Sequence, residues 1–256
     1  MKLTIIQTNL VWQNKTENLS LLKEKILNIN EATDLIILPE MFSTGFSMNA
    51  KVLAESMNEN TIQWMQELAN KKDCIITGSV IIAENGKYFN RLIWATPQGN
   101  KTYDKRHLFS YAKEDKTYSA GSEKLILDYN GWKIMPLVCY DLRFPVWSRR
   151  TEKENYDLLI YVANWPERRN TAWKTLLPAR AIENQSYVVG VNRIGNDGND
   201  IYHSGDSAIY NYKGEIISKT QAHEESIETI ELDLSELHDH RKQFAFEKDA
   251  DGFVID

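Results

Sequence analysis

An α/β layered fold is the architecture this sequence predicts, and three observations predict it. Short continuous apolar runs closed by a turn or a polar group recur along the chain (DLIILPEM, KIMPLVCYD, YDLLIYVANW, SYVVGVNRIG), the pattern of strands covered on both faces. Between them lie stretches whose apolar residues return at helical spacing. Strands and helices alternate in both halves, which places helices outside packed sheets rather than making a β-sandwich. Periodicity does not set whether the strands form one sheet or two.

Taken in order, LTIIQTNL opens the chain as a buried strand, and Thr16 to Ile29 carries Leu19, Leu22, Ile26 and Ile29 on one helical face. DLIILPEM follows as a strand whose end bears Glu40, and Thr61 to Lys71 predicts a second helix. CIITGSVIIA, NRLIWATPQG and NKTYDKRHLF read as a meander with Gly86 and Gly99 at the turns. From Phe109 to Gly121 the sequence is polar and aperiodic, so it reads as a loop. KLILDYNGWKIMPLVCYD returns to strand, with Asn130-Gly131 as a hairpin turn and Cys139 at the strand's end. Trp147 to Asn155 is read as a helix, YDLLIYVANW as a buried strand, Ala172 to Asn184 as a helix and SYVVGVNRIG as a strand. SAIYNYKGEII and SIETIELDLSEL continue the strand pattern, and a charged tail over 239–256 ends the sequence. No linker or internal repeat interrupts the chain, so residues 1–256 are read as a single domain.

The chain is long enough for a large core, with 256 residues of which 42% are hydrophobic. A formal net charge of -6 disfavours nucleic acid and anionic membrane surfaces as partners. The opening residues lack the features of a secretory signal, and no apolar run approaches the roughly 20 residues that span a bilayer. A cytoplasmic protein is the expectation, with Cys74 and Cys139 as free thiols.

Functional groups in α/β sheets gather beyond strand ends. Three strand ends here carry a carboxylate (Glu40), an ammonium (Lys105) and a thiol (Cys139), a set capable of covalent catalysis. Glu40 would accept the thiol proton as Cys139 attacks a carbonyl. Lys105 and the backbone N–H of Tyr140 would stabilise the resulting oxyanion. Taken singly, each has a plainer reading: Cys139 as a small core filler, Glu40 as a cap, Lys105 as a solvated charge. There is no GxSxG elbow, no HExxH and no Gly-rich nucleotide loop, so neither a metal nor an organic cofactor is expected. His238 and His240 lie in the charged tail and read as solvated.

Together, ILPEMFSTGF, YDKRHLF and LVCYDLRFP resemble, in order, the three catalytic segments of the nitrilase superfamily of carbon–nitrogen hydrolases. CYDLRFP with ANWPERR, WKTLLPARAIENQSYVVGVNRIG and SGDSAIYNYKGEII is most similar to the bacterial omega-amidases. The resemblance implies a four-layer α-β-β-α sandwich, a homodimer, and Glu40, Lys105 and Cys139 as base, oxyanion stabiliser and nucleophile. It also implies a second glutamate after the lysine segment, for which Glu114 fits better than Asp115. The expected reaction is hydrolysis of the terminal amide of 2-oxoglutaramate or 2-oxosuccinamate through a cysteine thioester. The alternatives are an N-carbamoyl amino acid or nitrile hydrolase, or a non-enzymatic protein on the same fold. A substrate carboxylate would call for Arg143, Arg169 or Lys113, inside aromatic walls from Phe42, Tyr140, Phe144 and Trp165. Arg143 could instead pair with Asp141 or Glu183 in a structural ion network.

Overall fold

The structure, a computed structural model, describes residues 1–255. Its first sheet is built from β1 (Lys2–Gln7), β2 (Leu35–Ile37), β3 (Ile75–Glu84), β4 (Lys87–Thr96) and β5 (Gly99–Asp104). The second takes β6 (Leu127–Tyr129), β7 (Trp132–Val138), β8 (Leu158–Ala163) and β9 (Tyr187–Asn192). Then come β10 (Ile194–Asn196), β11 (Tyr202–Ser204), β12 (Ala208–Tyr210) and β13 (Ser226–Glu231). The six-stranded sheet runs β13-β1-β2-β3-β4-β5, the five-stranded sheet runs β12-β9-β8-β7-β6, and β10 and β11 form a separate ribbon. In each sheet the middle is parallel, β1 with β2 and β3 in one, β7 with β8 and β9 in the other.

The two-residue period of a strand sorts the first sheet's side chains into two cores. Leu3, Ile5, Leu35, Ile37, Leu92 and Trp94 face the second sheet and pack with residues of β7, β8 and β9. Ile6, Ile36, Ile76, Ile93 and Ala95 point the other way, onto Leu22 and Ile26 of helix Lys15–Leu27 and Met65 and Leu68 of helix Asn60–Lys72. Trp173, Leu177 and Ala181 of helix Asn170–Asn184 join the core of the second sheet, whose strands are apolar on both faces. The layers are therefore helix, sheet, sheet, helix: the outer helices are as the alternation of elements predicts, and the pair of sheets is as the family resemblance implies. Among the described residues no helix is long and apolar enough to cross a membrane.

Several expectations need correction. The helix expected over Trp147 to Asn155 is only one turn, Pro145–Ser148. Pro145 starts it, and Arg149 leaves it in an extended conformation. The polar groups beyond then bond elsewhere, Arg150 giving its N–H and Nε–H to the Asn184 side chain and carbonyl at 2.9 and 2.8 Å. SIETIELDLSEL is not strand throughout, because Asp233 accepts from the N–H groups of Ser235 and Glu236 and starts the helix Leu234–Gln243. The charged segment from 239 thus begins inside a helix, and Arg241 from it reaches Asp157 at 2.6 Å. The loop from Phe109 to Gly121 holds two short turns, a 3₁₀ turn at Ser110–Ala112 and a helical turn at Glu114–Thr117. Asn130 and Gly131 both have positive φ and close the expected β6–β7 hairpin.

Candidate active site

The three strand-end residues meet where the two sheets face each other. Glu40 lies three residues past β2, in a turn where Met41 has a φ of +43° and gives its N–H to Ser79 Oγ at 2.8 Å. Lys105 directly follows β5, and Cys139 directly follows β7 with a φ of +45° at the start of a 3₁₀ turn, Cys139–Arg143. A non-glycine residue at such a φ is sterically costly, so the surrounding structure must hold Cys139 there. Tyr140 is the next residue of that turn, its side chain half-buried between Phe109 and Phe144.

Glu40, Lys105 and Glu114 form a buried ion cluster. The Lys105 ammonium donates to Glu40 Oε1 at 2.9 Å and to both oxygens of Glu114 at 3.0 and 2.9 Å, with all three side chains no more than 1% exposed. Asn90 on β4 bridges the two carboxylates through its Nδ2, at 2.8 Å to Glu40 and 3.1 Å to Glu114. Asn164, just past β8, gives its N–H to Glu40 Oε2 at 2.8 Å and its side-chain amide to the Glu40 carbonyl. The Phe109 N–H reaches Glu114 Oε2 at 2.6 Å. Although burial pulls against it, the Glu114 and Glu40 carboxylates hold the Lys105 pKa above its ordinary value, so the ammonium stays charged. Burial pushes the Glu114 carboxyl up against the pull of Lys105.

Burial, then the Glu40 carboxylate, drive the Cys139 thiol well above its ordinary range despite Lys105. The resting sulfur is therefore a protonated thiol with a carboxylate beside it. Such a thiol has to lose its proton during attack, which is general-base chemistry rather than the chemistry of a stored thiolate.

A cavity of about 510 Å³ opens over this cluster, with Glu40, Lys105, Cys139 and Asn164 among its lining residues. Its lining also includes Arg143, Arg168 and Arg169, Asp197 and His203, with Phe46, Phe109, Tyr140 and Trp165 among the aromatic walls. Arg143 lies 5.0 Å above the Trp165 ring and Arg169 5.0 Å above Phe109. Burial lowers the His203 pKa from its ordinary 6.5 to about 4, Arg193 adding to the effect. The unfolded chain takes up this proton before the folded one does. Stability from His203 is thus full above pH 6.5 and is lost as pH falls toward 4. Urea unfolding followed across that window is expected to show the decline, and His203→Asn to flatten it.

The chain matches the Carbon-nitrogen hydrolase family over residues 2–242. It belongs to that family. It is 43% identical over 256 residues to Omega-amidase YafV of Escherichia coli K12, covering 100% of this chain and 98% of the relative. The 2-oxoglutaramate amidase of Bacillus subtilis is 33% identical over 248 residues, 94% of this chain and 95% of that one. The crystal structure of a CN-hydrolase superfamily protein from Xanthomonas campestris, with an arsenic adduct in its active site, superposes with a TM-score of 0.97 at 40% identity, covering 100% and 99% of the two chains. The fold is accordingly the α-β-β-α sandwich of the nitrilase superfamily, and the chain is a carbon–nitrogen hydrolase.

The residues this carbon–nitrogen hydrolase was expected to use do not all reach the cavity. Glu40, Lys105, Glu114 and Cys139 converge, and Tyr140, Arg143, Trp165 and Arg169 line the space above them. Phe42 does not: the turn at Met41 sends it into the helix-side core, against Trp64 and over Gly78, where a Cβ would sit 2.8 Å from its ring. Lys113 ends the 3₁₀ turn in a left-handed conformation with its side chain exposed and outside the cavity lining. Phe144 stands behind the wall, stacked on His107 at 3.8 Å. Asp115 points outward to Lys116. Neither ion pair considered for Arg143 forms, since Asp141 is engaged by His107 and Tyr103 and Glu183 by Arg180. Asn90, Asn164, Phe46, Phe109 and Arg168 went unnamed as site residues. Asn164 and Arg168 sit in ANWPERR, and Asn90 is a buried polar residue within strand β4, just ahead of its apolar run, the signal that could have marked it.

Proposed function

We propose that this chain hydrolyses the terminal amide of a small 2-oxo dicarboxylic acid monoamide, 2-oxoglutaramate or 2-oxosuccinamate, to the dicarboxylate and ammonia. One observation carries the reading: a buried thiol and the Glu40–Lys105–Glu114 cluster lie at the base of a cavity walled by aromatic rings and by arginines without carboxylate partners among the described residues. The relatives' names, omega-amidase and 2-oxoglutaramate amidase, support the choice of substrate.

In the proposed cycle the Cys139 sulfur attacks the amide carbon as Glu40 takes the thiol proton. The carbonyl oxygen becomes an oxyanion stabilised by the Lys105 ammonium and the Tyr140 N–H. Glu40 passes the proton to the leaving nitrogen, the C–N bond breaks, and ammonia departs from a thioester. Water then gives a proton to Glu40 and attacks the thioester carbon, the C–S bond breaks, and the sulfur recovers its proton while the acid leaves. Glu114 keeps Lys105 charged and in place. A homodimer belongs to the same reading and is checked by sedimentation.

A substrate panel tests the activity. Ammonia release from 2-oxoglutaramate is expected to exceed that from nitriles and N-carbamoyl amino acids and to vanish in Cys139→Ala; faster turnover of either rival class would replace the assignment. Iodoacetamide labelling tests the nucleophile separately. Burial raises the Cys74 thiol to about 11 and the Cys139 thiol well above its ordinary range, so resting thiolate content gives Cys139 no advantage. Base-assisted attack does favour it. Peptide mapping is expected to find Cys139 labelled first, and Glu40→Gln to remove its lead.

A further inference from the structure

Asp141, two residues beyond Cys139, is fully buried and lies outside the chemistry described above. Its carboxylate accepts four hydrogen bonds. Oδ1 takes the backbone N–H of His107 at 2.9 Å and the His107 ring Nδ1 at 2.8 Å, and Oδ2 takes the Tyr103 hydroxyl at 2.8 Å and the Val138 N–H at 3.0 Å. Tyr103, near the end of β5 in the first sheet, and His107, in the segment that follows it, flank Lys105, while Val138 at the end of β7 in the second sheet precedes Cys139. One carboxylate thus bridges the lysine segment and the cysteine turn across the interface between the sheets.

We infer that Asp141 is a positioning residue, a clamp that sets Cys139 against Lys105 and holds the nucleophile in its positive-φ turn. Three features fit a clamp better than general core packing. The Val138 bond fixes the Leu137–Val138 peptide, one residue ahead of the positive-φ cysteine at the end of β7. The partners are themselves locked: Tyr103 Oη also accepts from Trp147 Nε1 at 3.0 Å and from the Arg106 N–H at 3.2 Å. The His107 ring is held flat against Phe144, stacked at 3.8 Å with an interplanar angle of 6°. Four charge-assisted bonds on an anion sealed from water make a stiff joint. A joint of this kind matters to catalysis because an error of about 1 Å between reacting groups lowers a rate about a hundredfold.

The inference rests on Cys139 as nucleophile, and the tests separate the two. Asp141→Asn puts a donor where two acceptor sites were used, so it is expected to lower kcat on 2-oxoglutaramate about a hundredfold with KM within a few-fold. It should slow iodoacetamide labelling of Cys139 and leave that of Cys74 unchanged. His107, whose side chain is 22% exposed, offers a variant that tolerates replacement. His107→Ala is expected to slow the same labelling, and His107→Asn, which restores a side-chain N–H, to recover it. Asp157 is the control: it is buried at the far end of β7 and β8 and accepts from the Lys133 N–H at 2.9 Å and from Arg241 at 2.6 Å. Asp157→Asn should lower the melting temperature and leave kcat within a few-fold of wild type. Wild-type labelling rates in both Asp141→Asn and His107→Ala would overturn the clamp, as would a kcat loss in Asp157→Asn matching that of Asp141→Asn. Should Asp141→Asn fail to fold, the His107 pair decides. Absence of a Cys139 labelling lead in the wild type would instead overturn the nucleophile assignment.

Discussion

Replacing Lys105 by methionine is expected to abolish amide hydrolysis and to destabilise the fold by about 3–5 kcal/mol, the cost of leaving a buried charge without its partner. The geometry explains why the loss is at the upper end. Lys105 is the cation that Glu40 and Glu114 share, and without it two carboxylates of 0% exposure would keep only uncharged donors, the Asn90 amide between them and the backbone N–H groups of Asn164 and Phe109. Like charges so placed cannot both ionise, so one would keep its proton. The carboxyl pKa values in the variant would then lie above their unfolded values. A group raised in this way stabilises the fold below its unfolded pKa and loses that contribution as pH rises through the folded one. The deficit of Lys105→Met should therefore shrink in acid, which urea unfolding of both proteins through the carboxylate range would show. A constant deficit would mean that Lys105 acts through packing alone. For activity, a residual rate within tenfold of wild type would contradict a role at the oxyanion, where one donor is worth about 10²–10³ in rate.

What was legible in the sequence follows from what each signal physically is. Glu40 and Cys139 could be read because an apolar run ending at a reactive side chain is a local pattern, and Lys105 because it ends the last strand of the meander; β2, β5 and β7 do stop within three residues of them. That the fold is layered was legible for a related reason, since strands such as Leu158–Ala163, buried at every position, require a layer on each side, while the number of sheets came from family likeness. Glu114 was reachable only through family likeness, since a lone acid in an aperiodic stretch carries no pattern of its own. Phe42 shows the opposite failure. It is two residues from Glu40 in sequence, but the positive φ at Met41 turns the chain between them and delivers the ring to the other core. Asn90 and Asn164 escaped because their role lies in long-range bonds, Asn164 reaching Glu40 across 124 positions. The one-turn helix at Pro145–Ser148 was overestimated because Arg150 could find acceptors on Asn184 that no local window contains.

The second large effect concerns substrate rather than rate. Arg143 and Arg169 line the cavity and an adjoining shallow groove, and among the described residues neither forms an ion pair. Burial lowers the Arg169 pKa, and its neighbours Arg168 and Arg143 lower it further. A cluster of like charges held over aromatic rings is unfavourable in the free protein and becomes favourable when an anion enters. If that anion is the carboxylate of a 2-oxo acid amide, Arg143→Ala and Arg169→Ala should each raise KM about tenfold to a hundredfold, the loss of a hydrogen bond to a charged group, with kcat much less affected. Lysine should rescue either position only in part, because it cannot offer the planar fork of guanidinium to a carboxylate. The double variant should lose less than the product of the two, since both groups would address one carboxylate. A primary amide of the same length without a carboxylate supplies the decisive comparison. Its KM should be unchanged in either single variant, and the folded state should be as stable as wild type or slightly more so, because a repulsion has been removed. Equal losses for the charged and uncharged amides would transfer these arginines from substrate recognition to the support of Phe109 and Trp165, the rings beneath them.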